Sequence, residues 1–397
     1  MTKENSYTHH RVKNQNMSLV LKLIYTKRAN TRSELARLTG LSKMTLSNIV
    51  AELLAEDYIS ERDRSIYGAS QGRIPIELEI SPRAPHAVGV FLGRVECLLV
   101  LSTIDAKFIK TTRFDIKSDM TKEILLDHLR RGYMELVSET RNRVIGIGIA
   151  SIGPIDKMRG LILNPPDFFG MKNISIKEFF EEISRLPVYF DNNMNAAALA
   201  EKMFGNGKTL SDLLYIGVMH GVGAGIIAGG NLLNGPSGVN GELGHTTINF
   251  DGAPCQCGNR GCLELYATIP RIVEGAISEM KQAGIMIDEK TFDWPQLVTK
   301  AREGEYYSLR ALNRLCEYLV VGIVNLVNLL DSEEVFLGHD IALAEGLIEK
   351  KLEQIVNKRI FANNIKTLRI RMSAFGTQAP LVGSVCLVLN NLLRNGD

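Results

Sequence analysis

The chain has 397 residues, which is more than one domain usually needs, so we expect two or three domains. Hydrophobic residues make up 45% and charged residues 23% of the sequence, values that are ordinary for globular proteins and exclude wholesale disorder. No uninterrupted apolar run approaches the ~18 residues of a membrane span, and the N-terminus has no signal-peptide core. We therefore expect a cytoplasmic protein with no membrane partner.

The charge is unevenly distributed along the chain. Residues 1–83 contain 13 Lys or Arg against 9 Asp or Glu, whereas the remainder contains 33 against 35. A basic N-terminal segment attached to a slightly acidic body favours an anion-binding module, and nucleic acid is one anionic partner that such a module can bind.

Three helical patterns follow one another in the basic segment. Val20, Leu21 and Ile24 recur at helical spacing, and Thr31 followed by Glu34 forms a capping box that opens a second, short helix. Gly40 ends that helix, and Ser42 is placed to cap a third. We expect the apolar face of the third helix to consist of Met44, Ile49, Val50, Leu53 and Leu54.

Two helices joined by a tight glycine turn are typical of a helix-turn-helix, which places its second helix in the major groove of DNA. A turn-rich stretch and an alternating run follow, and they predict a β-hairpin wing. The sequence thus predicts a winged helix-turn-helix domain over residues 1–82 that binds double-stranded DNA. The alternative is a three-helix interaction module that does not bind DNA. The candidate DNA contacts are Lys43, Thr45, Ser47 and Asn48 on the third helix and Arg73 at the tip of the wing.

A proline-punctuated linker, residues 81–85, precedes a body in which strands and helices alternate. This alternation predicts an α/β domain over residues 83–397, with sheets covered by helices. The predicted strands include residues 88–91, 98–101, 144–149, 188–191, 214–218 and 225–228.

Three cysteines lie close together in the pattern Cys-x-Cys-x4-Cys, at Cys255, Cys257 and Cys262, and His245 precedes them by ten residues. Three thiolates and one imidazole suit tetrahedral Zn²⁺, and a site with four protein ligands has no open position for catalysis. The pattern predicts a structural zinc site. The alternative is a set of reduced loop cysteines without metal. Cys97, Cys316 and Cys386 lie in apolar surroundings and are expected in the core.

Residues 221–268 combine a glycine-rich hairpin, Gly-Glu-x-Gly-His (residues 241–245) and the cysteine cluster. In this order and spacing they resemble the ROK family, which comprises repressors, open reading frames and sugar kinases. The resemblance implies a two-lobed, actin-like sugar-kinase fold, with lobe one at about 83–194 plus the C-terminal helix and lobe two at about 195–375. A winged helix in front of this fold is the layout of the repressor branch, and the arrangement is most similar to the family's xylose and N-acetylglucosamine repressors.

The resemblance also implies a sugar site. The family's hexose contacts fall on Asn192, Asn193, Glu242, His245 and Glu264. His245 would then serve both the metal and the sugar, one ring nitrogen on each, which is compatible with the way metal-bound imidazoles use their second N–H group. Asn192 and Asn193 stand between a strand and a helix, so the alternative for these two residues is ordinary helix capping.

Four positions depart from the sugar kinases of the family. Asn193 stands where the kinases have the aspartate that accepts the hydroxyl proton, and an amide cannot act as that base. Residues 91–95 replace the Asp-x-Gly-Gly-Thr of the first strand, with Phe91 at the aspartate position. His220 and His339 replace a threonine and a glycine of the nucleotide site. We therefore expect that kinase activity has been lost.

Together these patterns predict a sugar-responsive transcriptional repressor. Its partners would be palindromic operator DNA and a monosaccharide or small oligosaccharide, and the resemblance implies a homodimer or a dimer of dimers. One alternative is a bifunctional or weakly active ATP-dependent sugar kinase, and another is a regulator controlled by a partner protein. The sugar itself cannot be read from the sequence: pentoses, glucose, N-acetylated hexoses and short β-glucosides all remain open.

Overall fold

A computed structural model describes residues 3–62, 76–166, 168–235 and 238–395. The chain divides into two compact units, one formed by Met1–Asp191 with Ser384–Asp397 and the other by Asn192–Gly383. The first unit therefore contains the N-terminal helices as well as the first part of the α/β body. The domain boundary near residue 82 and the lobe limits of about 194 and 375 remain predictions.

The first unit begins with three helices, α1 (Lys3–Tyr25), α2 (Arg32–Thr39) and α3 (Lys43–Ala55). The Thr31 side chain caps α2 by accepting a hydrogen bond from the Glu34 amide at 3.3 Å. Gly40 ends α2 with a φ of 69°, a left-handed conformation in which glycine carries no steric penalty. The Ser42 hydroxyl then accepts a hydrogen bond from the Thr45 amide at 3.1 Å and caps α3. The helix, glycine turn and helix expected from the sequence are thus formed.

A two-stranded antiparallel hairpin follows, β1 (Ile59–Arg62) with β2 (Glu77–Ile80), in the register that pairs Ile59 with Ile80. Residues 63–75, among them Arg73, lie outside the described residues. The helices and the hairpin share a small core that buries Val20, Ile24, Leu35, Leu46, Ile49, Val50, Leu53 and Leu78.

Met44 was expected on the apolar face of α3, and this prediction is wrong. Its side chain is 77% exposed, and Leu46 takes the buried position instead. The spacing explains the difference: Leu46, Ile49, Val50 and Leu53 follow the three- and four-residue steps of a helix face, whereas Met44 lies two residues from Leu46, on another side of the helix.

A five-stranded sheet forms the α/β part of the first unit, in the order β10-β6-β3-β4-β5. Strand β3 pairs antiparallel with β4 and parallel with β6. Helix α12 (Ala379–Asn395) belongs to this unit from Ser384 onward. It packs closely on the sheet, since a Cβ atom on Gly148 would lie 1.8 Å from the Ser384 carbonyl oxygen. The elements are β3 (His86–Leu92), β4 (Glu96–Thr103), β5 (Phe108–Asp115), α4 (Lys122–Ser138), β6 (Val144–Ser151), the small sheet β7 (Ile155–Asp156), β8 (Leu161–Ile162) and β9 (Ile174–Ser175), α5 (Ile176–Ser184), β10 (Val188–Asn192) and α12 (Ala379–Asn395).

The second unit is built on another five-stranded sheet, in the order β13-β12-β11-β14-β15. Strand β11 pairs antiparallel with β12 and parallel with β14, so the glycine hairpin expected from the sequence is present. Cys316 and Cys262 are buried in this unit, and Cys97 and Cys386 in the other. The elements are α6 (Asn193–Met203), β11 (Leu213–Val218), β12 (Val222–Ala228), β13 (Asn231–Leu232), α7 (Glu264–Ala267), α8 (Ile269–Gln282), α9 (Trp294–Arg302), α10 (Tyr306–Leu330), β14 (Glu334–Gly338), α11 (Glu349–Arg359) and β15 (Arg369–Met372).

Helix α10 is long and apolar enough to cross a membrane by length and composition alone. Its buried residues, among them Leu315, Leu319 and Ile323, belong to the core of the second unit, where they pack beside residues of α8 and α11. A core helix of a globular protein meets the same length and composition criteria, and burial of this face in the unit's own core accounts for its hydropathy.

Candidate functional site

His245, Cys255, Cys257 and Cys262 come together in the second unit, and their ligand atoms all lie within 4.8 Å of one another. The sulfur of Cys255 lies 3.7 Å from Nδ1 of His245, and the sulfurs of Cys257 and Cys262 are 3.7 Å apart. The four residues predicted from spacing therefore form one cluster able to hold a metal ion.

The loop between the histidine and the last cysteine is folded by its own backbone. The Gly258 amide donates to the Cys255 carbonyl at 3.0 Å, which makes a tight turn. Gly261 has a φ of 58°, and a Cβ atom there would lie 1.7 Å from the Asn249 carbonyl oxygen, so only glycine fits. Asn259 donates its amide N–H groups to the His245 carbonyl at 3.2 Å and to Thr247 Oγ1 at 3.0 Å.

The two distances of 3.7 Å within the cluster fit a tetrahedral zinc ion. Zinc–sulfur bonds of about 2.3 Å in a tetrahedron separate two sulfurs by about 3.8 Å, close to the 3.7 Å between Cys257 and Cys262. Burial, with a further contribution from the neighbouring thiols, raises the pKa of Cys262 to about 12. A divalent cation would reverse this balance, because it stabilises the thiolate form of its ligands.

Glu264, the first residue of α7, faces the turn of the β11–β12 hairpin. Its carboxylate accepts a hydrogen bond from the Val222 amide at 3.2 Å. A Cβ atom would lie 2.9 Å from the Glu264 Oε2 atom if placed on Gly221, and 3.1 Å from it if placed on Gly244. The glycines therefore let two loops close around this carboxylate.

Glu242 and His245 lie beside Glu264. Loss of solvent around the Glu242 carboxylate raises its pKa, His245 opposes the rise, and Glu264 adds to it. Gly241 places this segment against β12, since it has a φ of 84° and a Cβ atom there would lie 2.0 Å from the Ala224 carbonyl oxygen. The His245 ring turns Nδ1 toward Cys255, which leaves Nε2 as the second ring nitrogen, with no role in the metal cluster.

Asn192 and Asn193 stand at the start of α6. The Asn192 side chain accepts a hydrogen bond from the Met194 amide at 2.8 Å, so it caps the helix, as one reading of the sequence expected. Asn193 is only 3% exposed. Met194 packs against the β11–β12 hairpin, since Cβ atoms on Gly217 and Gly223 would lie 2.4 Å and 2.9 Å from its side chain. The helix start thus lies beside the strands that lead to Glu264.

The predicted DNA contacts of the third helix are all exposed: Lys43, Thr45, Ser47 and Asn48. They occupy the first two turns of α3, which is the second helix of the helix–turn–helix arrangement. The Thr45 hydroxyl lies 2.9 Å from the Ser42 hydroxyl, so part of its hydrogen-bonding capacity is used at the cap.

Comparison with known proteins shows that residues 87–391 match the model of the ROK family. The chain belongs to the ROK family. It is 32% identical to a xylose repressor of Caldicellulosiruptor bescii over 97% of this chain and 98% of that protein. The crystal structure of a ROK family transcriptional regulator, a homologue of the Escherichia coli Mlc protein, superposes with a TM-score of 0.80 and 26% identity over 97% of this chain and 98% of that one. The α/β fold and the family expected from the sequence are thereby confirmed.

A glucokinase of Halalkalibacterium halodurans is also similar to this ROK protein, at 31% identity, over 63% of this chain and 78% of the kinase. The xylose repressor match, in contrast, spans nearly the whole chain and so includes the N-terminal helices.

The resemblance to the sugar kinases implies departures at or beside four residues: Asp191, Phe91, His220 and His339. Asp191, the carboxylate two residues before Asn193, is buried and ion-paired with Lys157. The Phe91 ring packs against the turn that follows its strand, since a Cβ atom on Gly93 would lie 3.1 Å from it. His220 is exposed, whereas His339 is buried after β14 with its ring against that of Tyr215.

Two contributions to the site were missed by sequence reasoning. The Val222 amide and Asn259 hold Glu264 and His245 in place, and both act through contacts between segments distant in sequence. Met44 was wrongly assigned to the apolar face of α3. The sequence contained the signal, because a residue two positions from Leu46 lies on another side of the helix.

Proposed function

We propose that this ROK protein is a sugar-responsive transcriptional repressor. It binds double-stranded operator DNA through α3 and the β1–β2 hairpin, and a sugar bound in the second unit modulates this binding. One observation carries the proposal: a relative named as a xylose repressor matches 97% of the chain. The similarity therefore includes both the helix–turn–helix and the part of the chain that resembles sugar kinases.

The exposed face of α3 supports the DNA-binding role. Lys43 supplies a cation for a phosphate, and Ser47 and Asn48 supply hydrogen-bond donors and acceptors for base edges. Thr45 and Arg73 are the other two candidate DNA contacts that the sequence offers. A homodimer, or a dimer of dimers, would read two such half-sites in a palindromic operator.

Carboxylates and amides around Glu264 support the sugar-binding role. Glu242 and Glu264 each offer two acceptor oxygens to sugar hydroxyls, His245 Nε2 offers a donor, and Asn192 and Asn193 offer amides at the start of α6. A monosaccharide or small oligosaccharide is the ligand that this set of groups suits. Xylose is the first candidate, because repressors named for that sugar match 96–97% of the chain.

We assign the cluster of His245 and the three cysteines to structural Zn²⁺. When bound, the ion neutralises the thiolates and cross-links the loop that carries Glu242 to the one that carries Glu264. His245 donates its Nε2–H group toward the sugar, because its Nδ1 atom faces the cluster. The four ligand atoms are one nitrogen and three sulfurs, so this cluster includes no oxygen ligand for a catalytic metal.

The replacements at the kinase positions support a protein without enzymatic activity. Asn193 cannot accept a proton from a sugar hydroxyl, and Asp191 is held by Lys157. Phe91 offers no ligand for Mg²⁺, and the buried His339 ring fills space beside Gly217, where a Cβ atom would lie 2.5 Å from it. We therefore propose a cytoplasmic regulator rather than a kinase.

The protein must have two conformations that differ in their affinity for DNA. The sugar alters DNA binding only if it binds one of these conformations more tightly than the other. By thermodynamic linkage, the factor by which the sugar changes DNA affinity equals the factor by which DNA changes sugar affinity. A factor of about 5–150 is typical of such coupling and is sufficient for induction.

A DNA titration tests the proposal. Purified protein is titrated with labelled DNA from upstream of its own gene at a fixed salt concentration, with and without xylose, glucose, N-acetylglucosamine and cellobiose. Tight binding that one sugar weakens by about 5-fold or more supports the proposal. Binding that no sugar alters contradicts the sugar response and favours control by a partner protein, and absence of sequence-specific binding contradicts the repressor itself.

A weakly active sugar kinase is the second candidate, favoured by the similarity to a glucokinase over 63% of the chain. Loss of a general base costs about 10²–10⁴-fold, so slow turnover would survive the change at residue 193. Phosphate transfer from ATP to glucose or xylose that is clearly faster than the reaction without protein would establish this function. Turnover no faster than the reaction without protein would remove it.

A further inference from the structure

Helix α3 presents a mixed face to its surroundings. Met44, Ser47, Asn48 and Ala51 are all exposed and follow steps of three and four residues, so they lie on one side of the helix. The opposite side is buried in the core of the N-terminal helices. The face therefore combines an amide and a hydroxyl with a large apolar side chain in the first turn.

A single exposed methionine is common on protein surfaces and by itself indicates no function. The position of Met44 within the helix–turn–helix is what points to a function. Met44 is 77% exposed in the first turn of the second helix of the helix–turn–helix, next to Lys43. N-terminal residues of such a helix meet base edges in the major groove. The apolar group that the major groove offers there is the C5 methyl group of thymine.

We propose that Met44 packs on the C5 methyl group of one thymine in each half-site and so selects thymine over cytosine at that position. The inference rests on the proposed DNA-binding function, which it deepens by naming the base and the atom that Met44 contacts. The side chain suits the role because its unbranched thioether can adapt to the groove. Cytosine lacks the methyl group and offers an amino donor that an apolar side chain cannot use.

Removing the methyl group from DNA tests this contact without altering the protein. The full-length wild-type protein first selects duplexes from a randomised library, and each thymine of the selected sequence is then replaced in turn by deoxyuridine. We expect the replacement at one thymine per half-site to weaken binding about fourfold, the value of one buried methyl group.

Variants of the protein connect the effect to Met44. Met44→Ala should bind the unmodified duplex more weakly and lose the discrimination between thymine and deoxyuridine at that position. Met44→Leu should keep it, because an apolar side chain of similar size remains. Met286→Ala is the matched control, since Met286 is 98% exposed in the second unit and should leave both affinities unchanged.

The outcomes separate this inference from the proposed function. If Met44→Ala keeps the full wild-type sensitivity to deoxyuridine, or if no thymine of the selected sequence is sensitive in the wild type, the contact is refuted while sequence-specific binding stands. If the wild-type protein enriches no sequence, the repressor function is refuted and the contact with it. Normal helical circular dichroism of each variant shows that loss of binding is not loss of folding.

Discussion

The sulfur atoms of Cys257 and Cys262 lie 3.7 Å apart, at the separation that two ligands of one tetrahedral zinc ion require. Cys257 is exposed whereas Cys262 is buried, so the pair joins the outer turn of the loop to the core of the second unit. Glu264 follows Cys262 by two residues. Metal binding by the cysteine pair therefore affects the position of the segment that carries the proposed sugar site.

The first prediction concerns the metal. Purified protein should contain one zinc ion per chain, and Cys257→Ser should lower zinc affinity by at least about 10–100-fold, the effect of losing even an outer partner of a zinc ligand. Because Cys257 is exposed, the substitution leaves no cavity in the core. Elemental analysis after dialysis against a mild chelator measures the content. Cys316→Ala is the control, and equal zinc in wild type and Cys257→Ser would contradict the assignment.

The second prediction concerns the sugar. Glu264→Gln keeps the size of the side chain but replaces a charged acceptor by an amide. We expect sugar affinity to fall about 10–150-fold, the value of a hydrogen bond to a charged group, while DNA affinity without sugar is retained. Calorimetry with the inducing sugar and a DNA titration measure the two. Glu274→Gln, an exposed glutamate of α8, should change neither. Unaltered sugar affinity in Glu264→Gln would remove Glu264 from the site.

The third prediction concerns the phosphate contact. Lys43→Ala should weaken binding to specific and non-specific DNA alike and reduce the slope of log affinity against log salt by about 1 for each half-site. Fluorescence anisotropy at a series of salt concentrations measures that slope. Lys290 is exposed in the second unit, and Lys290→Ala should leave the slope unchanged. A Lys43→Ala slope equal to that of the wild type would show that Lys43 lies away from the DNA.

The fourth prediction concerns pH. Burial lowers the pKa of His339 to about 4 from the ordinary 6.5, because the charged imidazolium loses its solvent. The unfolded chain therefore takes up a proton below pH 6.5 that the folded chain takes up only near pH 4. The stability linked to His339 is complete above pH 6.5 and falls as the pH drops from 6.5 to 4, by up to about 1.4 kcal/mol per pH unit.

Denaturant unfolding at pH 7, 6 and 5 measures this dependence. His339→Asn removes the titrating group and tolerates the left-handed φ of 64° at this position, so the free energy of unfolding should depend less steeply on pH. The difference in slope, rather than the absolute stability, is the readout, since the smaller side chain leaves a cavity. His220→Asn, at an exposed histidine, should retain the wild-type slope.

Local sequence was sufficient wherever a structure depends on neighbouring residues. The Thr31 and Ser42 caps, the left-handed Gly40 and the hairpin of β11 and β12 were all predictable, because caps and turns depend on side chains a few residues away. The cluster of His245 and the three cysteines was predictable for the same reason, since the three cysteines lie on one short loop. Met44 shows the limit of hydrophobicity alone, because an apolar residue in a helix need not face the core.

What the sequence determined by itself is thus the order of elements, the family and the set of residues with chemical capacity. Only the tertiary structure decided which of them meet: Glu264 with the Val222 amide, Asp191 with Lys157, and His339 with Tyr215 are pairs separated by 34 to 124 residues. The physical reason is that burial and long-range contacts depend on how strands and helices pack. The solvation and pairing of a charged or polar side chain follow from that packing, and local spacing does not contain it.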